Sequence, residues 1–173
     1  MDSRRLRTTF GITALAALLP AAALAAPPNA SSGPLVDLQS AVANPTDGAS
    51  ARVQAVAHGA GTTVTLHVDG LTAPAGTTLG AHVHTGPCVA DDGGAAGPHF
   101  NIDVAEGTVP AEISDRTEVW LDITVAGHGV GHAVAQVPFH IPTGEAQSVV
   151  IHALPTDHVG AAGARLACLG VDL

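Results

Sequence analysis

From residue 35 onward, no stretch of this chain spaces its apolar residues at the three-and-four interval that an amphipathic helix needs. They come instead in short runs, several of them alternating, each closed by Gly, Pro, Asn or Asp. Thr62–Val68 (TTVTLHV) alternates, and Gly59-Ala60-Gly61 offers the hairpin before it. In Glu118–Val125 (EVWLDITV), Val119, Leu121, Ile123 and Val125 share one face, and Glu118, Trp120, Asp122 and Thr124 share the other. Strands are expected near 35–41, 51–58, 62–69, 79–85, 117–125, 131–139, 147–153 and 165–172. Eight short strands with turn signals between them predict an all-β sandwich or barrel. Residues 86–116 carry little strand signal, and a connection of that length in a small domain tends to be functional.

The first residues read differently. Arg4, Arg5 and Arg7 precede a mostly apolar run from Thr8 to Ala22, and Ala23-Leu24-Ala25 is a small-x-small sequence. That layout is expected of a signal peptide over 1–25, cleaved near Ala25, with export as the consequence. The run is short and broken by Pro20, so it is not expected to span a membrane. Residues 26–34 (APPNASSGP) read as a flexible tether, leaving 35–173 as the folded domain. Of six basic and fifteen acidic residues, the leader takes three arginines and Asp2. Arg52, Arg116 and Arg165 then face fourteen acids, a net charge of −11, with no lysine anywhere. Such a surface repels nucleic acid and anionic lipid. The two cysteines, Cys88 and Cys168, are expected to form a disulfide in an oxidising compartment rather than to bind metal or react.

Chemistry concentrates in Gly80–Asn101 (GAHVHTGPCVADDGGAAGPHFN), which holds three of the ten histidines. His82 and His84, two apart, leave one face of an extended strand together, and His99 follows a glycine-rich loop. Neutral imidazole is the commonest protein ligand for zinc and copper, so a metal site is one reading. The polar side of a surface strand is the other, and the His-x-His pair alone does not separate them. His152, at the end of the apolar run Ser148–Ile151, would by itself be an ordinary strand-end residue.

Taken together, these stretches resemble the copper/zinc superoxide dismutase family. Gly80–Cys88 resembles its first copper motif, and Gly97-Pro98-His99-Phe100-Asn101 resembles the segment with its metal-bridging histidine. Val149-Val150-Ile151-His152 is similar to the strand carrying its last copper ligand. Gly163-Ala164-Arg165-Leu166-Ala167-Cys168 is similar to its closing motif, and the four elements come in the family's order across residues 35–173. The resemblance implies an eight-stranded Greek-key β-barrel or sandwich. It implies copper at His82, His84, His99 and His152, with Arg165 drawing in superoxide and His99 serving as the ligand that is released and protonated. It also implies a Cys88–Cys168 bridge holding the ligand loop to the last strand.

The sequence departs from that family where a zinc site belongs. Residues 102–117 contain no histidine, only Asp103, Glu106, Glu112 and Asp115, and carboxylates alone with His99 make an unusual zinc set. The chain therefore looks like the copper-only branch, with zinc expected to be absent. Without zinc, another group must orient His99. Glu118 is the first candidate, since it begins the strand after the loop on its non-core face; Asp122 and Asp115 follow. Asp157 is expected to brace one of the other ligands. The expected activity is superoxide dismutation by Cu(II)/Cu(I) cycling, with superoxide as substrate and no nucleic-acid or membrane partner. The alternative is a copper-binding or copper-buffering module on the same fold.

Overall fold

The computed structural model describes residues 29–173; the expected leader and residues 26–28 lie outside them. The strands run in order β1 (Ala30–Pro34), β2 (Val36–Asp37), β3 (Ser50–His58), β4 (Gly61–Asp69), β5 (Thr78–Leu79) and β6 (Ala81–His84). After the short helix α1 (Ile102–Glu106) come β7 (Ile123–Thr124), β8 (Gly131–Val137), β9 (Ser148–His152) and β10 (Arg165–Gly170). One sheet has the order β1-β3-β4-β8, a second β2-β10-β9-β6, and β5 pairs with β7. Every pairing is antiparallel. If β1 with β2, and β5 with β6, are each taken as one interrupted strand, eight extended segments remain, as the sequence predicts. Between β4 and its partner β8 the chain visits the other sheet, and between β6 and its partner β9 it returns to the first, which is a Greek-key connection.

The alternation that predicted the strands also fills the sandwich. Val53, Val64, Leu66, Val68, Val83, Val119, Leu121, Ile123 and Ile151 are all fully buried, together with Phe100. Phe139 meets Phe100 with ring centroids 5.9 Å apart. Burying each such side chain contributes about 1.5–3 kcal/mol.

Three boundaries differ from expectation. The tether read over 26–34 is too long, because Ala30–Pro34 pairs with Pro34 opposite Ser50 and Ala30 opposite Gln54. The backbone of β3 has an open edge there, and the polar side chains of β1 do not prevent pairing on an edge, where proline is also tolerated. The strand expected over 35–41 pairs only at Val36 and Asp37, since Asp37 Oδ1 then accepts from the Gln39 amide at 2.8 Å and turns the chain. Over 117–125 only β7 is a regular strand, yet isolated bridges join Glu118 to Asn101 and Trp120 to His82, so the alternation still sets which face is buried.

The long connection is ordered. Helix α1 was not legible as a periodic run, because it is one turn held by its ends. Asn101 Oδ1 accepts from the amides of Asp103 and Val104, and Gly107 closes the turn in the left-handed region.

Candidate metal centre

The sheet β2-β10-β9-β6 has an inner face in the core and an outer face that carries the histidines. His82 and His84 leave β6 on that outer face, and His152 leaves the end of β9 beside them. His99 lies opposite His84 in an isolated bridge, so the returning loop lays it against the same strand. Arg165 is the register partner of His152 on β10. The loop carrying Cys88 roofs this face. Cys88 is bonded to Cys168 with a Cα–Cα distance of 5.8 Å, and Leu38, Ala96, Val150 and Cys168 form a small apolar cluster beneath it.

One ring nitrogen from each of His82, His84, His99 and His152 lies within 4.8 Å of the others, and among the described residues no other set of three or more His, Cys, Asp or Glu side chains is gathered so closely. His82, His84 and His152 are buried and His99 is half-buried. The other ring nitrogen of every one is held. His84 Nδ1 donates to the Gly97 carbonyl at 3.1 Å, and His152 Nδ1 donates to the Gly163 carbonyl at 3.2 Å. Both glycines have positive φ, 68° and 75°, and that backbone turn is what presents each carbonyl to its imidazole. His99 Nδ1 donates to Glu118 Oε2 at 2.8 Å. His82 Nε2 meets Thr156 Oγ1 at 2.7 Å, and the Thr156 hydroxyl in turn donates to Asp122 Oδ1 at 2.5 Å.

These partners fix the tautomers. A carbonyl can only accept, so Nδ1 of His84 and of His152 carries the proton, and both Nε2 atoms are bare lone pairs. They stand 3.3 Å apart, an approach that is repulsive unless a cation lies between them. His82 Nδ1 is buried with no protein partner, and a buried polar atom without one costs about 1–3 kcal/mol. The four bare nitrogens thus fit a metal ion of imidazole preference, and the site can hold one.

Electrostatics agree. Burial, with the neighbouring imidazoles and Arg165 adding to it, lowers His82 to about 2. Burial likewise brings His84 to about 3 and His152 to about 4, against the opposing hydrogen bonds to Gly97 and Gly163. These rings stay neutral, as ligation requires. For Glu118, burial acts to raise the pKa, but hydrogen bonds from His99, Trp120 and Asn101 outweigh it and hold the carboxyl below its usual range.

Of the residues expected to orient ligands, Glu118 lies against His99. Asp122 lies instead on the His82 side, acting through Thr156. Asp157 touches none of the four histidines: it is exposed and accepts from the amides of Val159 and Ala161, so it shapes its own loop. Asp115 is exposed too. Sequence reasoning missed Thr156, which adjoins the Asp157 it favoured, and Trp120, whose Nε1 donates to Glu118 Oε2 at 2.8 Å. Trp120 was visible as a large side chain on the polar face of its strand, an unusual place unless something covers it. Arg165 donates from a terminal guanidinium nitrogen to the Gly93 carbonyl at 2.6 Å, so the disulfide loop fixes where its charge points. A cleft of about 410 Å³ opens beside His99 and Glu118, walled by Val104, Ile113 and Val159.

No protein-family model matches the chain, and no curated protein matches its sequence. Among solved structures, the fold is similar to that of a SOD-like protein from Bacillus subtilis, crystallised as a double mutant. The TM-score is 0.54 with 18% identity, over 82% of this chain and 96% of that one. At that identity the likeness shows the fold, a superoxide dismutase-like β-sandwich, and it adds nothing about metal or activity.

Proposed function

We propose that this chain is a copper-dependent superoxide dismutase of the zinc-lacking kind, exported to an oxidising compartment. The observation that carries the proposal is the arrangement of four bare imidazole nitrogens, each fixed by a partner at its other nitrogen, beside a positioned arginine. Nitrogen-rich sites of this kind favour copper among the divalent first-row metals. Export is supported by the leader-like residues 1–25 and by the Cys88–Cys168 bridge. Among the described residues, no helix is long and apolar enough to cross a membrane.

Copper bound there would supply one-electron cycling between Cu(II) and Cu(I), taking an electron from one superoxide and giving it to the next, so that two superoxide anions and two protons become oxygen and hydrogen peroxide. The protein's own share is positioning and proton handling. Arg165 gives an anionic substrate a local positive field on an otherwise acidic protein. His84 and His152 are locked by carbonyls, and His82 by Thr156, so these three are built to stay in place. His99 is held at Nδ1 by the Glu118 carboxylate, so its Nε2 is the nitrogen that would carry a proton once released from the metal. That proton is then available to the reduced substrate. In this reading Glu118 takes the orienting part that zinc plays in the zinc-containing branch.

The test is metal analysis of the purified protein with a superoxide assay on metal-free and copper-reloaded samples. Copper near one per chain, little zinc, and activity that follows copper are expected. Stoichiometric copper without dismutase activity would replace the proposal with a copper-buffering module.

A further inference from the structure

We propose a second metal site on the opposite sheet, formed by His67 and His132 with Asp69 behind His67, that takes a divalent transition-metal ion and copper(II) most tightly. It does not depend on the reading of the centre at His82, because β4 and β8 belong to the other sheet.

His67 on β4 and His132 on β8 are direct register partners across an antiparallel pair. Side chains so placed leave the sheet together on one face, with Cβ atoms about 5 Å apart. The rings stand 6.3 Å apart between centroids, inclined at 61°. Two imidazoles bound to one ion at about 2.1 Å per bond have centroids in this same range, so a small χ rotation of solvent-exposed rings closes the site. His132 is exposed, and the His67 side chain keeps 44% of its accessible surface.

Asp69 makes this pair more than two neighbouring surface histidines. It lies two residues past His67, hence on the same face, and its Oδ2 is 3.0 Å from His67 Nε2. Nε2 then carries the proton and Nδ1 is the free lone pair. Protein metal sites recurrently hold a ligand histidine this way, with a carboxylate fixing the tautomer and raising the basicity of the other nitrogen. The same device holds His99 through Glu118 in the first centre. The one cation in the row, Arg52, is the register partner of His67 on β3, on the side away from His132. Among first-row divalent ions an imidazole pair binds copper(II) most strongly.

The experiment is a copper(II) titration of the full protein with its first centre already occupied, followed by calorimetry and electron paramagnetic resonance. A second equivalent with a two-nitrogen copper(II) signature is expected. H67Q and H132Q should each abolish it, while the first equivalent and the far-ultraviolet spectrum stay unchanged; both positions are solvent-accessible, and Gln keeps side-chain bulk there. D69N should weaken the second equivalent by about 10-fold or more, the scale seen for groups that orient metal ligands. No second equivalent, or one that survives both H67Q and H132Q, overturns the proposal; the latter would place the extra copper at the chain's amino terminus or another histidine.

Discussion

His99 and Trp120 donate to the same oxygen of Glu118, each at 2.8 Å. Asn101 reaches the carboxylate's other oxygen at 3.5 Å, and Glu118 itself is only 4% exposed. An acidic group so placed stays ionised because its donors outweigh its burial. Replacing it with Gln keeps the shape and removes the charge. E118Q should retain copper while its dismutation rate falls about 10- to 100-fold, measured by pulsed superoxide decay alongside metal content. An unchanged rate would show that His99 is oriented by something else.

Trp120 is the only tryptophan, and the chain contains no tyrosine. Its ring lies 6.2 Å from that of His82, so its fluorescence observes the centre directly. Copper(II) addition to the metal-free protein should quench most of the emission, saturating at the same equivalence point as the first bound copper. The H82A variant should lose that stoichiometric quenching. Full emission with copper demonstrably bound would place the ion elsewhere.

Removing the metal should leave the fold acid-sensitive. His82, His84 and His152 are lowered to about 2, 3 and 4 in the folded chain, mainly by burial, whereas in the unfolded chain they titrate near 6.5. The unfolded state therefore binds more protons below pH 6.5. Stability from this source is complete above that value and is lost as pH falls from about 6.5 through the folded values near 4, 3 and 2. Each proton contributes a slope on the order of 1.4 kcal/mol per pH unit. Against a total of about 5–15 kcal/mol, the metal-free protein should unfold cooperatively in mildly acid solution. Bound copper should move that midpoint to lower pH, because protons must then displace a ligand. Urea midpoints at pH 7, 6, 5 and 4, with and without copper, measure both; a midpoint that does not change with pH would show that the three rings are solvated.

The sequence disclosed this centre unevenly, for physical reasons. The strands were legible because alternation over Thr62–Val68 and Val119–Val125 is a direct image of a half-buried pleat. His82 and His84 were legible as a pair through the same period, but only the fold brings His152 beside them, since β9 pairs with β6 across more than sixty positions. Glu118 could be singled out by face and position. Thr156 could not, because its part depends on how a short loop crosses Asp122, which no local period encodes. The same limit explains Asp157: its side chain satisfies its own loop's amides, a competition that local Asp–backbone bonding commonly wins. The β1 strand was missed because an edge strand needs backbone pairing more than apolar alternation.

Thr156 couples Asp122 to His82 through one hydroxyl. T156V keeps the branched shape and removes both hydrogen bonds, leaving His82 free to turn its ring and the Asp122 carboxylate short of a donor. Copper affinity should fall about 10- to 100-fold, read by competition with a chelator. T156S, which retains the hydroxyl, should restore most of it. Equal affinities for the valine and serine variants would reduce Thr156 to a packing residue.

Arg165 and the disulfide form the last coupled pair. The guanidinium is fixed at 2.6 Å on Gly93 O, and Gly93 belongs to the loop that Cys88 ties to Cys168 across 80 positions. Closing a loop of that length stabilises the fold by about 4 kcal/mol in the chain-entropy description, so the C88S/C168S variant should melt well below the native protein. Its effect on the chemistry should be distinct. With the loop released, the charge of Arg165 is no longer aimed, and the rate should fall while the four histidines still bind copper. R165A should lower the rate without the stability loss and should weaken inhibition by small anions. If the two variants are combined, the rate should fall little below that of R165A alone, because the bridge acts on turnover through the arginine. Multiplicative losses in that double-mutant cycle would show that the disulfide shapes the ligand set itself.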